Sequence, residues 1–564
     1  MLMVLAACNK AGELPEQNPY RKIMEYKPAT VTMEVPGAIT PDASYDWVSY
    51  TQNGNTVSFT TRRNFTGLIR RAEFSIAGTS FKAVISQKSG KIDANLSSYL
   101  VSQSLGQATV AINIVTGNVD DYDSWGVIYG KENDRSKGTE LPQSKMFVAG
   151  ENPVTITGLE EGVDYFVWAY VVTTEGDVVY TSNVTGIVPP IYVSADDDLQ
   201  TVIDGAKDYS EIRILGASSG KVYGPIILRD KVTLSGGWNA DFSAQSLDDR
   251  TVIKGSGSGP VLVADGLNGG VTLSYLDISG GKNSNEGGAF QVGEKSKVTV
   301  EFCNVHDNYS SDRGGAIIVY SGAKLLVANS IFKNNISCHH GGAIASTKSC
   351  EVTIVNSLFE HNLSLKRNGY AGCIFLEDGP AVVMVNCTVV DNINWADSGS
   401  SYASWPILNF RGSGTTLQFF NNLVVGNLFW PYDADTEGLD LSNPADYATI
   451  IPVQRQQEQV MLRCLNQNPN ADYGVSSNLV EGAFGWHSRD VGKIDAANYF
   501  VAQGVDLTEV YKAPASGDYT PVGAALKGEA SATVKGFLGK YNTDVYGNPR
   551  FTDGTIHIGA IQAQ

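Results

Sequence analysis

The sequence predicts an all-β protein, with two N-terminal β-sandwich domains followed by a right-handed parallel β-helix. Three observations carry that reading. First, 59 Gly, 26 Tyr and only 18% charged residues among 564, with abundant Val, Thr and Asn, suit strands joined by tight turns. Second, residues 26–187 alternate apolar and polar side chains in short bursts, the period of half-buried strands. Third, two unrelated motifs recur in one register through the C-terminal two-thirds, the mark of a solenoid. A chain this long holds several domains, and 42% apolar residues exclude wholesale disorder. The 41 Lys and Arg face 59 Asp and Glu, a net charge of −18. That balance repels phosphate backbones and excludes nucleic acid as a partner. Beyond the N-terminus no apolar run reaches the roughly 18 residues a membrane-spanning helix needs.

The chain opens Met1-Leu2-Met3-Val4-Leu5-Ala6-Ala7-Cys8 and turns polar at Asn9-Lys10. Leu5-Ala6-Ala7-Cys8 resembles the bacterial lipobox, which implies a lipidated Cys8 and an outer-membrane lipoprotein displayed at the cell surface. A signal peptide needs a basic region and an apolar stretch of about 7–15 residues, so its start is expected upstream. Acyl chains then attach the protein to the membrane without a spanning helix. Residues 1–25 are read as signal remnant and tether.

Residues 26–90 form the first sandwich, with strands at Val31–Val35, Thr56–Thr60, Ala72–Ile76 and Phe81–Ile85. The order Trp47, Asn64, Arg70-Arg71-Ala72, Ile76-Ala77-Gly78 and Val84-Ile85-Ser86-Gln87 resembles the BACON domain of Bacteroidota surface proteins. Arg62, Arg63, Arg70 and Arg71 read as a solvated strand edge. Residues 91–189 form the second sandwich. Leu159-Glu160-Glu161-Gly162-Val163-Asp164-Tyr165 resembles the fibronectin type III corner, which implies a Tyr165 hydroxyl pinning two strands and a central core strand at Trp125–Tyr129. Neither domain shows a nucleophile with its base, paired carboxylates or metal-ligand spacing, so both read as spacers or binding modules. Pro189-Pro190 marks the boundary.

Residues 190–564 are read as the β-helix with a C-terminal cap. Leu199–Ala206 has helical spacing and suits a cap over the first rung. Gly287-Gly288-Ala289, Gly314-Gly315-Ala316 and Gly341-Gly342-Ala343 recur every 27 residues, and Ala371-Gly372-Cys373 follows after 30. Val305 to Asn308, Phe332 to Asn335, Phe359 to Asn362, Val389 to Asn392 and Val424 to Asn427 keep step, at spacings of 27, 27, 30 and 35. Between these markers lie strands at Val298–Val300, Leu325–Val327, Val352–Ile354, Val382–Met384 and Leu417–Phe419. The next alternate position is Asn329, Asn356, Asn386 and Asn421, expected to form a ladder between rungs. The glycines supply positive φ or close packing at another corner. About ten rungs at roughly 4.8 Å each make a rod of about 50 Å. The Gly-Gly-Ala-Ile and Phe-x-x-Asn motifs resemble the repeat of chlamydial polymorphic outer-membrane proteins, within the pectin-lyase-like β-helix superfamily.

A β-helix presents long ligands along its side, where loops interrupt the rungs. The longest spacing holds Trp395, Tyr402 and Trp405, and the next loop holds Trp430 and Tyr432. Sugar rings stack on aromatics, so these five are read as a glycan platform, with packing on the rod's flank as the alternative. Asp433, Asp435 and Glu437 are hard oxygen ligands suited to Ca²⁺, or a solvated acidic loop; no cofactor is otherwise expected. His306, His339, His340 and His361 read as surface or turn residues. Resemblance to β-helix polysaccharide lyases implies a Lys or Arg base, for which Lys366 and Arg411 are candidates. Asp248-Asp249 lacks the companion motifs of polygalacturonases, so that match fails. Cys303, Cys338, Cys350, Cys373, Cys387 and Cys464 read as buried free thiols. The expected function is a lipid-anchored, noncatalytic surface binder or adhesin whose β-helix flank recognises a polysaccharide, host glycan or host matrix. A polysaccharide lyase or other carbohydrate-active enzyme is the alternative.

Overall fold

The computed structural model describes residues 18–64, 66, 68–90, 95–117, 119–174, 176–365, 372–395, 406–430, 460–465, 473–481, 483–484, 498–501, 504–523, 527–551 and 556–563. The chain divides into two units, one of residues 1–103, 107–159 and 163–187, the other of residues 188–564 with 104–106 and 160–162.

The first unit holds two cores, each between two sheets. In the earlier one, Arg21–Met24, Lys82–Gln87, Arg70–Ile76 and Ile39–Pro41 form one sheet, and Ala29–Glu34, Thr56–Thr61 and Val48–Asn53 the other. Alternation along Thr56–Thr61 turns Val57 and Phe59 inward, against Phe74 and Ile85. Asn64 and Gln87 are fully buried. Asn64 Nδ2 donates to the carbonyls of Leu68 (2.9 Å) and Gln87 (3.1 Å), and Gln87 Nε2 donates to that of Arg62 (2.7 Å). These amides satisfy backbone groups where the strands end. In the later core, Trp125, Val127, Tyr165 and Val167 face Val110 and Ile156 across two antiparallel sheets.

The second unit is a right-handed parallel β-helix. One rung runs through Lys297–Glu301 in sheet I, Asn304–His306 in sheet II, Tyr309–Ser310 in sheet III and Ile317–Val319 in sheet IV; Lys324–Ala328 then pairs with Lys297–Glu301. Among the described residues sheets I and II have ten strands each, sheet III six and sheet IV nine. Val298, Leu325, Val352, Val382 and Leu417 stand in one file, as the spacing predicted. The interior is apolar from Ile212 to Val480, and Phe332 stacks on Phe359 with ring centroids 5.0 Å apart. Each such side chain contributes roughly 1.5–3 kcal/mol by burial. The helix Leu199–Gly205, capped by the Asp198 side chain on the Thr201 N–H, buries Leu199 and Ile203 in the same core.

The corners divide the polar work. After sheet II, Asn308 Nδ2 donates to Asn335 Oδ1 (3.0 Å), Asn335 to Asn362 (2.9 Å), Asn362 to Asn392 (2.9 Å) and Asn392 to Asn427 (3.0 Å). The column Asn329, Asn356, Asn386 and Asn421 departs from the expected ladder. All four residues have positive φ, 48° to 54°, which reverses the alternation, so the following residue turns inward instead. That inner file carries rung-to-rung bonds, including Ser330 N–H to Ser357 Oγ (3.2 Å) and Asn422 N–H to Asn478 Oδ1 (2.8 Å). Within the outer file only Asn386 to Asn356 (3.2 Å) links two rungs. Asn329 donates instead to Asp544 O (2.7 Å), Asn356 to Tyr541 O (2.9 Å) and Asn421 to Glu529 O (2.9 Å). The described C-terminal residues therefore lie along the flank over sheets I and II. Val534, Leu538 and Tyr541 pack on Ala328, Val355 and Val385, and Val510, Tyr511 and Tyr519 on Leu358, Val390 and Leu423. Cys303, Cys350, Cys373 and Cys387 are buried free thiols, and Cys338 is a half-buried one.

In the glycine pairs, Gly287, Gly314 and Gly341 take φ of 66° to 74°, while a Cβ on Gly315 would overlap the Gly342 carbonyl oxygen. Replacing Asn362 by Ala strands the buried Asn335 amide and should cost about 3 kcal/mol. Gly315→Ala should cost about 2 kcal/mol or more by overpacking. Both losses are read from denaturant unfolding.

Candidate functional site

Sheet IV has one face in the core and one outside it. Phe290, Ile317, Ile344, Ile374 and Leu408 point inward. The next file, Gln291, Ile318, Ala345, Phe375 and Asn409, points the other way. The turn from sheet III into sheet IV lies beside this outer face and carries Glu286, Arg313 and His340, each immediately before a Gly-Gly pair.

Together these residues form a polar cluster across successive rungs, in which Ile318, Ala345, Phe375 and Asn409 are fully buried. Arg313 Nη1 donates to Glu377 Oε1 (2.5 Å), and its Nε lies 3.9 Å from Glu286 Oε1. Arg411 Nη2 donates to Glu377 Oε2 (2.7 Å), with its guanidinium 5.2 Å from the Phe375 ring centre. His340 stacks on the same ring at 4.5 Å. Tyr320 Oη donates to Glu286 Oε2 (3.0 Å), and Gln291 Nε2 to the Glu286 carbonyl (2.7 Å). Burial raises the Glu286 carboxyl above its usual range, partly opposed by the Tyr320 hydrogen bond. Burial, reinforced by Arg313 and Arg411, lowers His340 to about 3.

Beside this cluster Gln291 and Tyr320 line a cleft of about 410 Å³, together with Pro260, Val263, Asp265, Gly293 and Glu294. Val263 keeps 42% of its surface exposed there. An aliphatic floor, an aromatic wall and a few polar groups are what a small-ligand cleft requires.

Of the candidates read from sequence, Arg411 has a described side chain, and it joins this cluster. Its guanidinium donates to Glu377 and has no lone pair to offer as a base. Trp395 and Trp430 are register partners in sheet III, one rung apart. Lys366, Tyr402, Trp405, Tyr432, Asp433, Asp435, Glu437 and Cys8 lie outside the described residues. Among the described residues no three His, Cys, Asp or Glu side chains converge to hold a metal ion, and no helix is long and apolar enough to cross a membrane. Sequence reasoning missed Glu286, Arg313, Tyr320, Phe375 and Glu377. The available signal was the file of polar residues before the glycine pairs, Glu286, Arg313 and His340, at the repeat's own spacing.

A right handed beta helix region is matched over residues 243–429. No curated protein matches the chain. Among solved structures, the chain is similar to a Family 28 exopolygalacturonase of Yersinia enterocolitica, at 9% identity and a TM-score of 0.25, covering 72% of this chain and 98% of that one.

The described histidines have separate surroundings. His306 sits between Asp277 (2.8 Å) and Asp307 (2.7 Å). Burial alone would lower its pKa, but the hydrogen bonds and charges of the two carboxylates outweigh that and raise it to about 9. His339 pairs with Asp312 (2.6 Å), and His361 lies 3.9 Å from both Glu360 and Asp391. His306 and His340 titrate in opposite directions from the ordinary 6.5. The raised value makes the His306 contribution complete below pH 6.5 and lost as pH rises through about 9. The depressed value makes the His340 contribution present above pH 6.5 and lost as pH falls toward 3. Ring-proton NMR should show His306 titrating near pH 9 and His340 still neutral at pH 4; a shared midpoint near 6.5 would contradict both assignments.

Proposed function

We propose that this protein is a lipid-anchored cell-surface binder of polysaccharide or matrix glycan, attached through Cys8 and reading its ligand along the outer face of sheet IV. The two sandwiches, which resemble BACON and fibronectin type III domains in sequence, serve as spacers. The observation that carries the reading is the cleft at Val263, Gln291 and Tyr320, where an exposed aliphatic surface and a ring edge meet hydrogen-bonding groups. Sugars present apolar C–H faces and a fringe of hydroxyls, and this lining suits both. Trp395 and Trp430, paired in sheet III, with Tyr402, Trp405 and Tyr432 are the candidate aromatic platform, and Asp433, Asp435 and Glu437 are the candidate Ca²⁺ ligands.

The noncatalytic form of the reading is supported by the mutual pairing of Arg313, Arg411 and Glu377. A carbohydrate-active enzyme is favoured by one observation, the raised Glu286 carboxyl. A carboxyl whose hold on its proton is strengthened by burial is what a general acid needs.

Purified protein screened against neutral and acidic polysaccharides should retain at least one without turnover. Tyr320→Ala should weaken that affinity roughly tenfold, the loss of one aromatic contact, with an unchanged melting temperature. New reducing or unsaturated ends, abolished by Glu286→Gln, would replace the binder with the enzyme. Separately, Cys8→Ala should move the protein from the membrane to the soluble fraction of the expressing cell.

A further inference from the structure

The cleft has a charge, and that charge selects among glycans. Asp265 uses Oδ1 only for the N–H of Gly266, its own neighbour (2.9 Å). Glu294 is exposed and has no hydrogen bond or ion pair among the described residues. No lysine or arginine lines the cleft. In the adjoining cluster, Arg313 and Arg411 are already paired with Glu286 and Glu377. Asp265 and Glu294 therefore give the cleft a net charge of −2, on a chain whose own balance is −18.

We infer that the cleft binds neutral or amino-bearing glycans and rejects uronate- and sulfate-bearing ones. This rests on the glycan-binding reading above and narrows its ligand. A carboxylate accepts hydrogen bonds from sugar hydroxyls or an ammonium group, so Asp265 and Glu294 offer open acceptors to a neutral or cationic residue. The carboxylate of a uronate adds only further acceptors and a like charge. Two like unit charges about 4 Å apart weaken binding about fivefold in water, and by more where low-dielectric walls focus the field. The arginines cannot compensate without breaking their pairs with Glu286 and Glu377.

The full chain is titrated with three probes, a neutral mannan or β-glucan panel, chitosan oligosaccharides and polygalacturonate, at low and high salt. The inference expects polygalacturonate to bind at least roughly tenfold more weakly than the best neutral or amino-bearing probe at low salt, with the gap narrowing as salt screens the charges. Asp265→Asn with Glu294→Gln keeps one acceptor oxygen at each position and removes the charges. It should improve polygalacturonate binding about fivefold or more while neutral binding changes less than about threefold. Polygalacturonate bound as tightly as the neutral probes by the unaltered protein, or a preference the double variant does not move, overturns this inference and leaves the binder standing. Retention of none of the probes, neutral, amino-bearing or anionic, overturns both.

Discussion

The larger unit depends on one hydrogen bond repeated from rung to rung, the buried amide of an asparagine donating to the amide oxygen of the next. From Asn308 to Asn427 that file turns the chain from sheet II into sheet III at the same height in every rung. Each side chain also ties a backbone carbonyl, as Asn362 does that of Phe332 (2.9 Å), so the corner leaves little polar capacity unused. Because the corner is fixed, the residues after it arrive on the outer face of sheet IV in register. Glu286, Arg313 and His340 come from three different rungs and still form one cluster.

Much of this was legible because a repeat converts spacing into geometry. Equal intervals of 27 residues between Asn308, Asn335 and Asn362 predict equal heights, and the strands between them could be laid in file without knowing any contact. Asn329, Asn356, Asn386 and Asn421 show where that logic stops. Period-two reasoning assumes extended backbone on both sides of a residue, and a single positive φ inverts the direction of everything after it. Asparagine tolerates that conformation better than most residues, so the residue type was informative while the inferred orientation was not. The spacing also held no trace of the distant partners, since the carbonyls that receive the Asn329, Asn356 and Asn421 amides lie 108 to 215 residues further along the chain.

The charged cluster was illegible for a different reason. Glu377 and Arg411 are 34 residues apart and neither belongs to a motif, so each looks solitary in the sequence. Only the stacking of Leu376 on Phe410 brings the two residues that follow them side by side. Arg411 was identified as a lone cation near the repeat, and as a lone cation it invited a role as base. Its neighbours change its meaning: with Glu377 shared between Arg411 and Arg313, the pairs hold the outer face of several rungs together and leave little free charge.

That distribution separates a scaffold from a reading surface within one sheet face. Toward the later rungs, charges are matched and Phe375 is enclosed between His340 and Arg411, so polarity there is consumed internally. Toward the earlier rungs, Val263, Asp265 and Glu294 retain exposed surface and unused acceptors. Tyr320 joins the two regions, its hydroxyl bound to Glu286 while the side chain lines the cleft. A ligand meeting Tyr320 would meet a side chain whose orientation is already held from behind, and a surface held in advance loses less conformational freedom on binding.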